Sequence, residues 1–405
     1  MPSAEITPNV FISDKLTMKV TQVLSDALVV AARALPGWCS RLVYKYPCLF
    51  TVDTRNMYLQ ATAFGVSRTI VWLQQRRDAA VERARGSAQA GNSAAARQHD
   101  RYHEYRVGRL RHERVKVSRT EEILLDQAIR LMKFHADRKS VLEIEYTNEE
   151  GTGLGPTLEF YALVAAELQR KALALWVCDD DDTHASKSGE EREIDLGEGK
   201  KPAGYYVRRM GGLFPAPLPP GTEETKKAAD MFRVLGIFLA KVLLDGRLVD
   251  LPLSRPFLKL LVDPQVGEDV DGPNLHKVLT LDDFEEVNPV KGSFLKELRA
   301  LAQRKRVIEN DSALDQSAKR RKVAELRLHI KGSTCRIEDL ALNFTVNPPS
   351  KVFQYAEMEL VEGGSDIDVT MDNVEQYVEK CEEFYLNTGI AYQGLKREEM
   401  EFSRP

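Results

Sequence analysis

Residues 141–161 read Val-Leu-Glu-Ile-Glu-Tyr-Thr-Asn-Glu-Glu-Gly-Thr-Gly-Leu-Gly-Pro-Thr-Leu-Glu-Phe-Tyr. They join a strand, a three-glycine turn and a proline-started helix without a spare residue, which leaves the chain few ways to fold here. Val141, Ile144 and Tyr146 are β-formers separated by charged Glu143 and Glu145, the pattern of a short strand. Asn148 to Gly151 make the turn. Gly151, Gly153 and Gly155 relieve the steric limits on φ, and Pro156 has its angle preset for the first position of a helix. The spacing predicts a helix from Pro156 to about Lys171. A glycine cluster before a helix invites a nucleotide-binding reading, but there is no Gly-Lys-Ser/Thr to meet phosphate and magnesium. Pro156 also stands where a dinucleotide fingerprint needs its third glycine, so the chemistry argues against phosphate.

With 405 residues the chain can build two or three domains with real cores. A net charge of −4 and a pI near 6.1 give no global attraction to nucleic acid or anionic lipid. The opening Met-Pro-Ser-Ala-Glu-Ile-Thr-Pro has no basic stretch leading into an apolar run, so no secretory signal is expected. Met231 to Leu244 is too short to span a bilayer and contains Arg233 and Lys241, which predicts a core helix instead. The five cysteines include no Cys-x-x-Cys, and the seven histidines are dispersed. Reduced thiols in the cytosol or nucleus, no structural zinc and no cofactor are the expectation. Acidic Asp179 to Glu198 lacks the alternating carboxylates and the glycine of a calcium loop, and is read as exposed loop.

Residues 13–35 and 53–82 show helical periodicity, so residues 1–84 are read as a helical extension, with Pro36 and Pro47 breaking the run. Arg85 to His99 has the Gly, Ser, Ala, Gln and Asn composition of a mobile linker. Arg101 to Arg119 then carries seven basic residues around Tyr102, Tyr105 and His112. Such a stretch fits an acidic partner or nucleic acid, but interspersed Glu104 and Glu113 favour a solvated or intramolecularly paired segment. Residues 85–119 are thus a flexible, then basic, linker. Thr120-Glu121-Glu122 signals a capped helix to about Phe134. Residues 262–279, rich in Asp, Gly and Pro, separate a large subdomain (120–278) from a smaller one (279–405).

In the smaller part, Leu281 to Arg304 is expected to be helical, with Phe294, Leu295, Leu298 and Leu301 on one face. Arg304 to Leu326 is charged and helix-prone. Its Lys319-Arg320-Arg321-Lys322 fits a nuclear address, though an exposed helix is the simpler reading. Leu340 to Val346 and Phe353 to Val361 have strand character, and Asp372 is expected to cap a final helix from Asn373 to about Leu386. The fold class is α+β and helix-rich.

The 141–161 segment, with His135-Ala136-Asp137-Arg138-Lys139, Gly204-Tyr205-Tyr206 and Arg247-Leu248-Val249-Asp250-Leu251-Pro252-Leu253, resembles the N-terminal lobe of HECT-type ubiquitin ligases. The resemblance covers roughly residues 120–390. It implies an enzyme that takes ubiquitin from a ubiquitin-conjugating enzyme onto a cysteine and passes it to a substrate lysine. The family carries that cysteine in a separate C-terminal lobe, whereas here the family-like pattern stops near Gln393 and Gly394 to Pro405 departs from it. The chain alone is therefore expected to be inactive and to recruit the conjugating enzyme. An alternative is a non-catalytic module that sequesters conjugating enzyme or ubiquitin. A third reading, a helical scaffold binding nucleic acid or an acidic protein through 101–119, is the weakest, because no stacking aromatics lie on strands.

A transthiolation nucleophile must be exposed and partly thiolate. Cys39 and Cys48 have apolar neighbours, Cys178 precedes four aspartates and Cys381 lies among glutamates, all unfavourable. Cys335 has the best local charge, beside Arg336, but lacks the Leu-x-Leu-Pro that follows the family's cysteine. No catalytic residue is expected among the five. What the resemblance implies instead is an apolar docking groove for the conjugating enzyme, built from Leu295, Leu298 and Leu301 of the helix, Leu340, Leu342 and Phe344 of the following strand, and Tyr377 of the last helix. A groove floor and a subdomain core have the same composition, so these residues fit either. The implied partners are a ubiquitin-conjugating enzyme, ubiquitin and protein substrates bound through regions outside this chain. No membrane is expected among them, and nucleic acid is not favoured. The expected location is the cytoplasm, with the nucleus as the second option.

Overall fold

A computed structural model describes residues 8–87, 110–178, 194–195, 200–201, 205–207, 209–218, 222–262, 278–330, 332–346 and 357–391. The linker from residue 88 onward, Tyr102 and Tyr105, most of the acidic stretch, Gly204, the 263–277 boundary, residues 353–356 and the tail from Gly394 lie outside the described residues. The chain divides into two compact units. The first holds described residues up to Lys116 together with Asp137–Thr157, and the second holds Val117–Ala136 and the described residues from Leu158 on.

The first unit contains helices α1 (Asp14–Leu24), α2 (Ala27–Ala31), α3 (Gly37–Lys45), α4 (Val52–Thr62) and α5 (Val66–Ser87). Short polar side chains set three of the starts. Ser13, Asp26 and Thr51 each accept backbone N–H groups of the first turn that have no partner within the helix. Pro36 immediately precedes α3 and Pro47 opens a short 3₁₀ turn, so both prolines fall at boundaries. Val20, Leu24, Val30, Cys39, Phe50 and Met57 are buried together, with Trp72 and Leu73 packed against them. Burial of such side chains stabilises by about 1.5–3 kcal/mol each.

Strands β1 (His112–Val117) and β2 (Val141–Tyr146) pair in the same unit. Their alternation is that of a half-covered ribbon, with Leu142, Ile144 and Tyr146 buried. The described part of the basic stretch spends charge within the molecule. His112 Nδ1 and Arg114 Nε lie 2.6 and 3.0 Å from the two Glu143 oxygens, and Arg138 lies 3.0 Å from Glu113. Hydrogen bonds from His112 first, then Arg114, hold the Glu143 carboxyl below the usual carboxylate range. Arg68 Nε donates to the Lys139 carbonyl at 2.6 Å.

The 141–161 segment folds with two departures from expectation. Helix α7 runs from Leu154 to Glu167 instead of from Pro156 to about Lys171. Pro156 is tolerated as its third residue because the first-turn N–H groups lack intrahelical partners anyway. Of the three glycines only Gly153 is left-handed (φ +90°), and Asn148 (φ +67°) takes the other such position. Thr157 locks the turn to the strand: its hydroxyl donates to the Gly153 carbonyl and accepts the Ile144 N–H, both at 2.9 Å.

The second unit opens with α6 (Glu121–His135). Thr120 sits at its N-cap position, but its side chain does not cap and instead meets the Ser118 hydroxyl at 2.9 Å. Helix α8 (Glu223–Leu244), started by Thr222, is the expected core helix, with Phe232, Leu235, Ile237 and Phe238 buried. Phe232 packs edge-on against Trp176, which also meets Phe257 of α9 (Arg255–Val262). The Trp176 Nε1–H donates to the Leu168 carbonyl at 2.7 Å, satisfying its polar end. Tyr205 donates to Glu121, which also pairs with Lys201, and Arg170 lies over the Tyr205 ring at 5.1 Å. The Lys201 bond first, then that from Tyr205, lowers the Glu121 pKa.

Among the described residues each sheet has two strands: β1–β2, β3 (Ile194–Asp195) with β4 (Lys200–Lys201), β5 (Leu328–Ile330) with β6 (Ser333–Cys335), and β7 (Thr345–Val346) with β8 (Met358–Glu359). The architecture is helix-rich α+β. No described helix is long and apolar enough to cross a membrane.

Candidate functional site

The residues predicted to form a docking groove all belong to the second unit, between Leu281 and Ile390. Where one helix was expected from Leu281 to Arg304, there are two: α10 (Leu281–Val287) and α11 (Pro289–Glu309). Asn288 makes the break. It has extended backbone, its side chain accepts the Lys291 N–H at 3.0 Å, and Pro289 takes the first position of α11. The Asn-Pro dipeptide was a readable signal. The two helices then fold closely together at Gly292, where an added Cβ would lie 2.3 Å from the Glu285 Cα.

Helix α11 buries the predicted leucines completely. Leu295 is 3%, Leu298 0% and Leu301 1% exposed. They face α13 (Val374–Glu383) and β5, whose Leu328 is also fully buried. Toward α13 as well, Arg299 pairs with Glu382, and Arg306 lies 2.8 Å from Glu375. A cleft of about 290 Å³ between the two helices is lined by Arg299, Ala302, Gln303, Arg306, Glu375 and Val378, among others. Its charged lining is unlike the apolar groove that the resemblance implies.

The expected strand from Leu340 to Val346 shrinks to Thr345–Val346. A 3₁₀ turn occupies Glu338–Leu340, and Ala341 is left-handed at φ 46°, ψ 43°. Strand alternation therefore does not place 340, 342 and 344 on one side. Leu340 and Leu342 are half-buried, while Phe344 is fully enclosed. The Phe344 ring meets Tyr377 edge-on at 5.5 Å, and its backbone is held by Gly364, Ile367 and Leu360. Gly364 fits because an added Cβ would lie 2.4 Å from the Phe344 carbonyl oxygen.

The last helix begins at Val374, and Asp372 does not cap it. Asp372 lies 3.0 Å from Lys305 of α11, while the Asn373 side chain accepts the Thr370 N–H at 2.7 Å. After Glu383 the chain widens into a π-helical turn, Phe384–Thr388, where Tyr385 stacks on Phe284 at 4.9 Å. Of the second expected strand, only Met358–Glu359 is formed among the described residues.

The structure thus buries Leu295, Leu298, Leu301, Phe344 and Tyr377, brings the Phe344 and Tyr377 rings into contact, and leaves Leu340 and Leu342 half-buried. The cysteines are placed apart. Cys39 and Cys381 are buried, Cys178 and Cys335 partly so, and Cys48 is exposed. Burial pushes the Cys381 thiol up to about 12 and also raises Cys39. No group of three metal-ligating side chains stands close enough to hold an ion among the described residues.

Comparison with known proteins gives these positions a context. The profile of a family described as HECT-domain (ubiquitin-transferase) matches residues 162–396. Over 97% of its length the chain is 91% identical to the E3 ubiquitin-protein ligase hecd-1 of Caenorhabditis elegans. Over 96% it is 42% identical to the E3 ubiquitin-protein ligase Ufd4 of Drosophila melanogaster and 34% identical to UPL3 of Arabidopsis thaliana. The chain spans 15%, 15% and 18% of those three relatives.

Proposed function

This chain belongs to the HECT-domain (ubiquitin-transferase) family, and we propose that it is the part of a HECT-type ubiquitin-protein ligase that recruits a ubiquitin-conjugating enzyme. The observation that carries this reading is a pair of half-buried leucines, Leu340 and Leu342, on either side of left-handed Ala341 and close in the chain to enclosed Phe344, whose ring packs against Tyr377. A rigid floor beside two half-buried apolar side chains suits docking of an apolar protrusion, because little side-chain freedom remains to be lost on binding. The five enclosed residues act as support and Leu340 and Leu342 as contacts.

Ubiquitin transfer needs a nucleophilic thiolate, and within this proposal none of the five cysteines supplies it. Cys381 and Cys39 are protonated and enclosed. Cys178 and Cys335 are only partly accessible, and exposed Cys48 stands outside the matched region. Ubiquitin, a cytoplasmic location, and substrates engaged by other parts of a longer protein complete the proposal.

The test is a thioester assay of this polypeptide with activating enzyme, a panel of conjugating enzymes and ubiquitin, on non-reducing gels beside a binding titration. Saturable binding of a conjugating enzyme with no reducible adduct is expected. A reducible ubiquitin adduct would make one of the cysteines catalytic. Absence of binding across the panel would remove the recruiting role.

A further inference from the structure

We propose that helix α12 (Gln316–Ala324) is a docking element for a carboxylate-rich segment of a partner protein. Unlike α11, it contributes no buried residue. Asp315 starts it by accepting the Ala318 N–H at 2.6 Å, and Lys319 fastens it to α11 by donating to the Glu309 carbonyl at 2.7 Å. Four consecutive cations, Lys319 to Lys322, occupy the helix, and residues 316–324 include no acid.

Successive helical residues are turned by about 100°. With Lys319 directed to α11, Arg321 lies on the opposite side, with Arg320 about 100° and Lys322 about 60° around the helix from Lys319 on either flank. The outward half therefore carries Arg320 and Arg321 with Lys322 at its margin, and all three of these residues are exposed. None of the three has an ion-pair or hydrogen-bond partner for its charge among the described residues.

The neighbouring helix shows what these side chains normally meet in this unit. Lys296 pairs with Asp282 and Glu285, Arg299 with Glu382, Lys305 with Asp372, and Arg306 with Glu375. Carboxylates neutralise α11; none does so on α12. A carboxylate-rich polypeptide can wrap a half-cylinder of charge and offer each guanidinium a two-oxygen partner. The helix has no large exposed apolar side chain to enter a lipid surface, and no aromatic on which a base would stack. This surface shares no residue with Leu340 and Leu342, so it does not depend on conjugating-enzyme docking.

Fluorescence anisotropy with a labelled oligo-glutamate peptide and the full chain tests the proposal. The variant Arg320→Glu/Arg321→Glu/Lys322→Glu should bind at least about tenfold more weakly, a loss of about 1.4 kcal/mol. A control, Lys15→Glu/Lys19→Glu/Arg41→Glu, changes net charge equally at exposed sites and should bind like wild type. Because α12 buries nothing, both variants should melt with the wild-type protein in circular dichroism. Equal loss in the two variants would assign binding to the overall field, and unchanged binding in the α12 variant would also overturn the proposal. So would failure of the wild-type chain to bind the peptide, or tighter binding of a duplex DNA probe through the same three residues.

Discussion

Helix α11 and the segment 338–346 supply six of the seven predicted docking residues, and they treat their leucines differently. Leu295, Leu298 and Leu301 are sealed beneath α13 and β5, whereas Leu340 and Leu342 remain half-buried around a left-handed turn. A periodic apolar face tells which side of a helix avoids water. It does not tell whether the same chain or a partner covers that side.

The largest effect expected from this contrast is at Leu298. Leu298→Ala should destabilise the fold by about 2–5 kcal/mol in denaturant titration, the cost of a cavity in a closed core. A cost below about 0.5 kcal/mol would be that of a surface leucine and would reopen the helix as a groove wall. Next comes Gly364→Ala, whose methyl group would meet the Phe344 carbonyl and should cost about 1–3 kcal/mol. Wild-type stability in that variant would mean that the 338–346 segment yields easily, against the rigid floor proposed for it.

Leu342→Asp should leave the melting transition close to wild type yet weaken conjugating-enzyme binding by about tenfold or more, because the docked charge would lose water without gaining a partner. Unchanged affinity would take Leu342 out of the contact. The smallest effect is confined to alkaline pH. The Cys381 thiol titrates near 8.5 when unfolded and is raised to about 12 in the fold. Its contribution to stability is therefore complete below about pH 8.5 and lost as pH rises through about 12. Cys381→Ala should reduce the fall in stability above pH 8.5, and native Cys381 should resist maleimide at neutral pH while exposed Cys48 reacts. Ready labelling of Cys381 in the native protein would show that the α11 side is open.

Much of the fold was legible because its signals are local. The β2 strand, α8 and the breaks at Pro36 and Pro47 follow from side-chain period and backbone chemistry. The errors have physical causes as well. Asp372 looked like a cap, but Lys305, distant in sequence, takes its carboxylate, and the Asn373 side chain closes the preceding turn instead. The strand expected from Leu340 to Val346 survives only at Thr345–Val346 and yields before it to the left-handed turn at Ala341, since alternating Leu-Ala-Leu-Asn-Phe specifies a half-buried pattern and not the backbone that produces it. Asn288-Pro289 carried a readable helix break that the continuous apolar period concealed.

The sequence by itself determined the strand–turn–helix at 141–161, the helix-rich α+β class and the family resemblance, because these rest on residues near one another along the chain. Only the tertiary structure decided that Leu298 is core and Leu342 half-buried, that Glu143 answers His112 and Arg114, and that α11 is neutralised while α12 is not. Burial and charge pairing depend on which distant residues arrive beside a side chain, and local spacing does not specify them.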